Sequence, residues 1–172
     1  MNIVLIGYRC SGKTSAGKII AERLDKKLID TDDLVKEKSG KSIDDIVSRH
    51  GWHHFRKLER DVIKEISSND DLVIATGGGV VTEKENMVNL KKNGFIIWLH
   101  SDIETIKERM KKDEQSPGNR PSLTGEDPAD EIMKVLEERE PVYSDVSDMA
   151  IDTGKFGIDE VADTIIEKIN KL

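Results

Sequence analysis

The chain has 172 residues, with 34 acidic against 27 basic side chains and a formal net charge of −7 at pH 7. This length fits one domain with a core of its own, and the acidic balance speaks against nucleic acid or an anionic membrane as a partner. Cys10 is the one cysteine, which excludes an intrachain disulfide. The apolar runs are too short to span a bilayer and no leader sequence is visible, so we expect a cytoplasmic protein.

Short apolar runs alternate with amphipathic, charge-rich stretches. Buried-strand patterns lie at 2–6, 27–29, 72–75, 95–99 and 149–151. Helical spacing of apolar residues lies at 13–24, 33–38, 43–49, 52–67, 84–92, 103–111, 131–139 and 158–171. Breaks are expected at Gly40 and Gly51, and the proline- and glycine-containing segment 113–130 is predicted to be a mobile, functional loop. Strands that alternate with helices predict an α/β fold with a parallel sheet covered on both faces.

The strongest functional signal is the turn between the first strand and the first helix. Residues 7–14, GYRCSGKT, fit the pattern G-x-x-x-x-G-K-[ST] in full. Glycines let the backbone aim N–H groups at a phosphate chain, and the helix that follows adds its positive end. Lys13 is expected to reach the outer phosphates, and the Thr14 hydroxyl to hold Mg²⁺. The chain is therefore predicted to bind a nucleoside triphosphate.

Cys10 occupies a loop position where many P-loops of small kinases carry glycine. Two interpretations remain open for it. Its small side chain points away from the nucleotide, or its thiol is activated by the helix end and Lys13.

A second set of residues indicates an acceptor. Asp30 and Asp32 close the second strand, where one carboxylate can serve a Mg²⁺ shell and the other can orient or deprotonate a hydroxyl. Capping of the next helix is the alternative for either aspartate. Arg56 and Glu59 share one helix face. Arg56, held by Glu59, is suited to bind a substrate carboxylate, and the alternative is an ordinary surface ion pair.

Three further features follow along the chain. Residues 77–79, a run of three glycines, end the third strand, which predicts that something other than protein lies against this backbone. Arg120, in the segment 113–130, could neutralise charge in a transition state. Arg139, near Pro141 and Tyr143, is a second candidate for binding a carboxylate.

In their order along the chain these motifs resemble the shikimate kinase family, over about residues 2–169. The resemblance implies a three-layer α/β/α P-loop kinase fold with a five-stranded parallel sheet. It implies a single domain, 1–172, with a helical substrate-binding region at 31–66 and a mobile lid at 112–127. It also implies transfer of the ATP γ-phosphoryl group to the 3-hydroxyl of shikimate with Mg²⁺, by a monomer that has no nucleic-acid or membrane partner.

The resemblance assigns roles to individual residues. Those implied to be catalytic are Lys13, Asp32 (as the base) and Arg120, and those implied to hold the metal are Thr14 and Asp30. Those implied to contact ATP are Gly7, Cys10, Ser11, Gly12, Lys13, Thr14, Ser15, Arg109 and Arg120. Those implied to contact shikimate are Asp32, Arg56, Gly77, Gly78, Gly79 and Arg139.

Two other functions remain open from the sequence, and so does a catalytically reduced relative that has kept the fold. One is a P-loop kinase that acts on another small molecule, such as gluconate or a nucleoside monophosphate. The other is a nucleotide-binding module without acceptor chemistry, which would not need the paired arginines and the run of glycines.

Overall fold

A parallel sheet of five strands forms the centre of the computed structural model, which describes residues 1–113 and 128–172. The strands are β1 (Asn2–Ile6), β2 (Lys27–Asp30), β3 (Leu72–Ala75), β4 (Gly94–His100) and β5 (Met149–Asp152). Their order across the sheet is β2-β3-β1-β4-β5, and all neighbours pair in parallel. The five strands and their parallel pairing confirm the α/β fold class predicted from the sequence.

Helices cover both faces of this sheet. They are α1 (Lys13–Arg23), α2 (Thr31–Ser39), α3 (Ile43–Ile66), α4 (Lys84–Lys91), α5 (Ile103–Asp113), α6 (Pro128–Val146) and α7 (Ile158–Ile169). Successive side chains of a strand point to opposite faces. Val4 and Ile6 of β1 pack with residues of α3, α4 and α6, whereas Ile3 and Leu5 pack with residues of α1 and α7. This division produces the three layers.

The break predicted at Gly51, between the helices at 43–49 and 52–67, is confirmed as a kink within α3. Gly51 interrupts it at φ 77° and ψ 167°, outside the helical region. Helix α2 begins at Thr31 rather than at 33, because the side chain of Asp30 accepts hydrogen bonds from the backbone N–H groups of Asp32 and Asp33 and caps the helix. Gly40 ends α2 in the left-handed conformation at φ 64°, as the predicted break requires.

The predicted loop at 113–130 is wrong at its edges. Helix α5 extends to Asp113 and α6 already begins at Pro128, a position at which proline is favoured because its missing N–H has no helical partner. Helix α6 also continues past Pro141 to Val146, and Tyr143, beyond the proline, is fully buried in the core. Within 1–113 and 128–172, no helix combines the length and the apolarity needed to cross a membrane.

We expect Gly51→Ala to lower the free energy of unfolding by about 1–3 kcal/mol, because the backbone conformation at Gly51 is almost restricted to glycine. Nothing lies within 4 Å of a Cβ at this position, so the loss would come from the backbone alone. The measurement is urea unfolding, with Arg49→Ala on the exposed surface of the same helix as the control. Equal stability of the two variants would contradict the assignment.

Candidate active site

The loop between β1 and α1 has the backbone geometry of a phosphate site. Gly7 and Gly12 have φ values of 143° and 96°, which side chains rarely permit. A Cβ on Gly7 would also collide with the carbonyl oxygen of Leu99. Helix α1 begins directly after Gly12 without a side-chain cap, so its N-terminal N–H groups point towards the loop. The local structure predicted from the glycine and lysine pattern is therefore present.

Lys13 and Cys10 take defined positions in this loop. Lys13 is buried, and its Nζ donates to the carbonyl of Tyr8 at 2.6 Å and lies 3.4 Å from Ser11 Oγ. Cys10 has φ 59°, a left-handed conformation that costs a non-glycine residue roughly 1–2 kcal/mol. Its Sγ lies 4.0 Å from Asp113 Oδ2 at the end of α5. Activation of the Cys10 thiol stays a hypothesis.

Arg109 of α5 contacts the phosphate loop from outside. Its Nη1 donates to the carbonyl of Cys10 at 3.3 Å and to Thr153 Oγ1 at 2.9 Å, and its Nη2 donates to the Thr153 carbonyl at 2.6 Å. Thr153 in turn donates through Oγ1 to the carbonyl of Ser11 at 3.1 Å. Sequence reasoning missed Thr153, whose only signal is its position directly after a strand.

Thr14 and Asp30 meet at the start of α1 and the end of β2. The Thr14 hydroxyl donates to Asp30 Oδ2 at 2.7 Å, while Oδ1 of the same carboxylate caps α2. The capping interpretation of Asp30 is therefore confirmed, and its role in a Mg²⁺ shell stays a prediction. A hydroxyl and a carboxylate oxygen are hard ligands of the kind that Mg²⁺ prefers, so this pair fits a magnesium site.

Beside the phosphate loop lies a pocket that opens to solvent; the empty space in and in front of it, open solvent included, is about 450 Å³. It is bounded by the loop, the kinked helix α3, the glycine run after β3, and α6. Its lining residues are Tyr8, Arg9, Asp32, Ile43, Trp52, Phe55, Arg56, Glu59, Gly77, Gly78, Gly79 and Arg139. The structure thus brings together the predicted acceptor residues, although Asp32, Arg56 and Arg139 come from three different helices.

The space beside two of the glycines is filled by the chain itself, which corrects one expectation. A Cβ on Gly77 would lie 2.7 Å from both Asp32 Oδ1 and Glu59 Oε1, and a Cβ on Gly79 would collide with the guanidinium of Arg56. These glycines therefore make room for the functional side chains of this protein. The run also lines the pocket, so its contact with a ligand stays a prediction.

Arg56 and Glu59 form a buried pair rather than a surface pair. Arg56 Nη1 donates to Glu59 Oε2 at 2.7 Å, and the two side chains are 15% and 0% exposed. The guanidinium also lies over the rings of Trp52 and Phe55, 5.5 Å and 5.2 Å from their centroids. Burial raises the pKa of the Glu59 carboxyl, an effect that the charge of Arg56 opposes. The second oxygen, Oε1, has no hydrogen-bond partner among the described residues.

Arg139 and Tyr143 of α6 converge on one carbonyl of the glycine run. Arg139 Nη1 donates to the Gly78 carbonyl oxygen at 3.0 Å, and the Tyr143 hydroxyl donates to the same oxygen. Burial raises the pKa of Tyr143 to about 12, so this hydroxyl remains a donor at neutral pH. Arg120 lies outside the described residues, as does all of the proposed lid except residues 112 and 113.

Comparisons with known proteins identify the family. The family model described as shikimate kinase matches residues 9–170. The chain belongs to the shikimate kinase family. A shikimate kinase of Caldanaerobacter subterraneus is 43% identical over 99% of this chain and 97% of its own. The structure of shikimate kinase from Acinetobacter baumannii in complex with shikimate matches with a TM-score of 0.91 and 33% identity, covering 99% of this chain and 93% of that one.

A gluconokinase from Sinorhizobium meliloti matches with a TM-score of 0.59 and 21% identity, over 94% of this chain and 86% of that one. This likeness shows a shared fold alone. Membership of this family agrees with the resemblance drawn from the motifs. The match to the family model extends over almost the entire chain. The roles of individual residues stay predictions that the geometry supports.

The raised pKa of Glu59 predicts how stability depends on pH. Because the folded-state pKa lies above the ordinary value of 4.5, folding favours the protonated form, and stability falls as pH rises from 4.5 through the folded-state pKa. We expect Glu59→Gln to remove this component of the fall. Urea unfolding between pH 4.5 and 7 measures it, with Glu83→Gln in the half-exposed pair with Arg60 as the control. A Glu59→Gln profile parallel to that of the unsubstituted protein would contradict the prediction.

Proposed function

We propose that this chain transfers the γ-phosphoryl group of ATP to the 3-hydroxyl of shikimate, which gives shikimate 3-phosphate and ADP. The observation that carries the proposal is the pocket directly beside the phosphate loop, in which two arginines and a buried aspartate surround the glycine run. Two guanidinium groups suit a carboxylate, and the aspartate suits a hydroxyl. Shikimate presents both groups on one small ring.

The nucleotide side of the reaction is assigned to the phosphate loop. Its backbone N–H groups and Lys13 bind the phosphates of ATP, and Ser15 lies in the first turn of α1 behind them. Thr14 Oγ1 and Asp30 Oδ2 are the atoms that would hold Mg²⁺. Mg²⁺, when bound, neutralises negative charge on the phosphate oxygens. Arg109 and Arg120 stay predicted contacts of ATP.

The acceptor side is assigned to Asp32, Arg56 and Arg139. The two arginines hold the carboxylate and fix the ring, which places the 3-hydroxyl near the phosphate loop. Asp32 accepts the hydroxyl proton as the oxygen attacks the γ-phosphorus. The new bond joins that oxygen to phosphorus, and the bond to the oxygen bridging the β- and γ-phosphorus atoms breaks, so ADP leaves with the electron pair. Asp32 is 5% exposed, which shields this proton transfer from bulk water.

The decisive experiment is a measurement of ADP release with a panel of acceptors. We expect release with shikimate and none above background with gluconate, nucleoside monophosphates or no acceptor. If ADP release is greatest with gluconate or a nucleoside monophosphate, that acceptor and not shikimate is the substrate. Tight ATP binding without acceptor-dependent release would favour the nucleotide-binding module.

We expect Arg56→Ala to raise the KM for shikimate about 10- to 100-fold, the loss of a charge-assisted contact worth about 1.5–3 kcal/mol. The KM for ATP should change less than about 3-fold, because Arg56 lines the acceptor pocket, away from Thr14 and Asp30. Steady-state kinetics measure both, with Arg60→Ala as the control for losing an arginine that is paired outside the pocket. Comparable losses for the two substrates would remove Arg56 as the carboxylate ligand.

We expect Asp32→Asn to lower kcat about 10²- to 10⁴-fold, because the amide cannot accept the hydroxyl proton. The variant keeps nearly the same shape, so shikimate binding measured by calorimetry should change little. Near-normal turnover would remove Asp32 as the base.

The finer features of this assignment stay predictions. They are a monomeric state, a cytoplasmic location, the lack of nucleic-acid and membrane partners, and the division of the single domain into a substrate-binding region and a lid. The helical region at 31–66 is supported by the pocket residues that α2 and α3 contribute.

A further inference from the structure

Arg9 is a cation of the acceptor pocket that the roles described above do not use. It lies within the phosphate loop and lines the pocket together with Asp32, Arg56 and Arg139. Its backbone N lies 3.2 Å from the position of a Cβ on Gly78, so the loop packs directly against the glycine run. Arg9 therefore forms part of the wall between the phosphates of the nucleotide and the acceptor.

A buried carboxylate holds the Arg9 guanidinium at this wall. Arg9 Nη2 donates to Glu131 Oε1 at 2.5 Å, and the two side chains are 13% and 4% exposed. The guanidinium also lies 5.6 Å from the centroid of the Tyr8 ring. A guanidinium has five N–H donors, and this contact occupies one nitrogen. Within residues 1–113 and 128–172, Glu131 is the carboxylate paired with Arg9, and the other nitrogens of the guanidinium are donors that a ligand in the pocket can use.

Burial of this ion pair carries a desolvation cost. Removing a carboxylate from water costs several kcal/mol even in a real protein, and a well-packed apolar pair is often as stable. Glu131 is 3% exposed and lies in the first turn of α6. A cation kept at a pocket wall at this cost points to an anion that arrives there.

The proposed reaction creates such an anion. Phosphoryl transfer leaves a phosphate monoester in the acceptor pocket, with a charge of about −1.5 to −2 at neutral pH. Asp32 beside it repels that charge, while Arg56 and Arg139 are assigned to the carboxylate. Lys13 lies on the nucleotide side, where its Nζ contacts the Tyr8 carbonyl. Among the described pocket residues, Arg9 is the remaining cation.

We propose that Arg9 binds the phosphate of the product, shikimate 3-phosphate, on the acceptor side of the phosphate loop. The proposal rests on the proposed function. A planar guanidinium matches a phosphate with two parallel hydrogen bonds, whereas the neutral 3-hydroxyl of shikimate offers it no charge. Arg9 therefore discriminates the product from the substrate. It contacts the phosphoryl group when that group is transferred from ATP to the acceptor.

Calorimetry with shikimate and with shikimate 3-phosphate tests this proposal. We expect Arg9→Gln to raise the Kd for shikimate 3-phosphate about 10- to 100-fold and the Kd for shikimate less than about 3-fold. Arg9→Lys keeps the charge but loses the two parallel hydrogen bonds. Its Kd for shikimate 3-phosphate should therefore lie between those of the unsubstituted protein and Arg9→Gln. Arg60→Gln, which breaks an ion pair outside the pocket, is the matched control and should change neither value.

The possible failures can be told apart. An unchanged Kd for shikimate 3-phosphate, or equal losses for both ligands, would overturn the role of Arg9 alone. If the unsubstituted protein binds neither ligand and releases no ADP with shikimate, the proposed function fails and takes this inference with it. Should Arg9→Gln not fold because Glu131 loses its contact with Arg9, the double variant Arg9→Gln, Glu131→Gln removes both charges. It must show the same selective loss.

Discussion

The end of β3 is fastened between its two neighbours, and the geometry of the site follows from this constraint. On one side, the backbone N–H and the hydroxyl of Thr76 both donate to the carbonyl of Leu5 in β1, at 3.1 Å and 3.0 Å. On the other side, the N–H of Gly77 donates to Thr31 Oγ1 at 2.9 Å, at the start of α2. The glycine run is thereby fixed between the phosphate loop and the two aspartates, so donor and acceptor sites share one wall.

Charge is distributed very differently over the molecule and over its pocket. The chain as a whole carries a net charge of −7, but the pocket holds three arginines and two carboxylates. Glu59 and Glu131 each hold an arginine by a direct contact. Such fixed pairs keep their orientation when a ligand enters, so little reorganisation accompanies binding. Net charge is thus a guide to partners of the whole surface, not to the ligand of a cleft.

Local patterns predicted much of this structure, and distant pairings escaped them. The strands and the phosphate loop depend on apolar runs and glycine spacing within about ten residues. The partner of Arg9 is 122 residues away and that of Arg109 is 44 residues away, so no periodicity indicates either contact. The lack of side chains at residues 77–79 predicts that another group lies against this backbone, but only packing shows that Arg56 occupies the space beside Gly79.

The close approach of Arg56 to Gly79 has a consequence for the design of inhibitors. A compound aimed at this pocket finds the space beside the Cα of Gly79 already occupied by the guanidinium of Arg56. Such a compound must either replace the arginine, and then supply a cation of its own to Glu59, or extend towards Trp52, which is only partly buried at the pocket rim. The second route leaves the Arg56–Glu59 ion pair intact, so binding does not include the free-energy cost of breaking it.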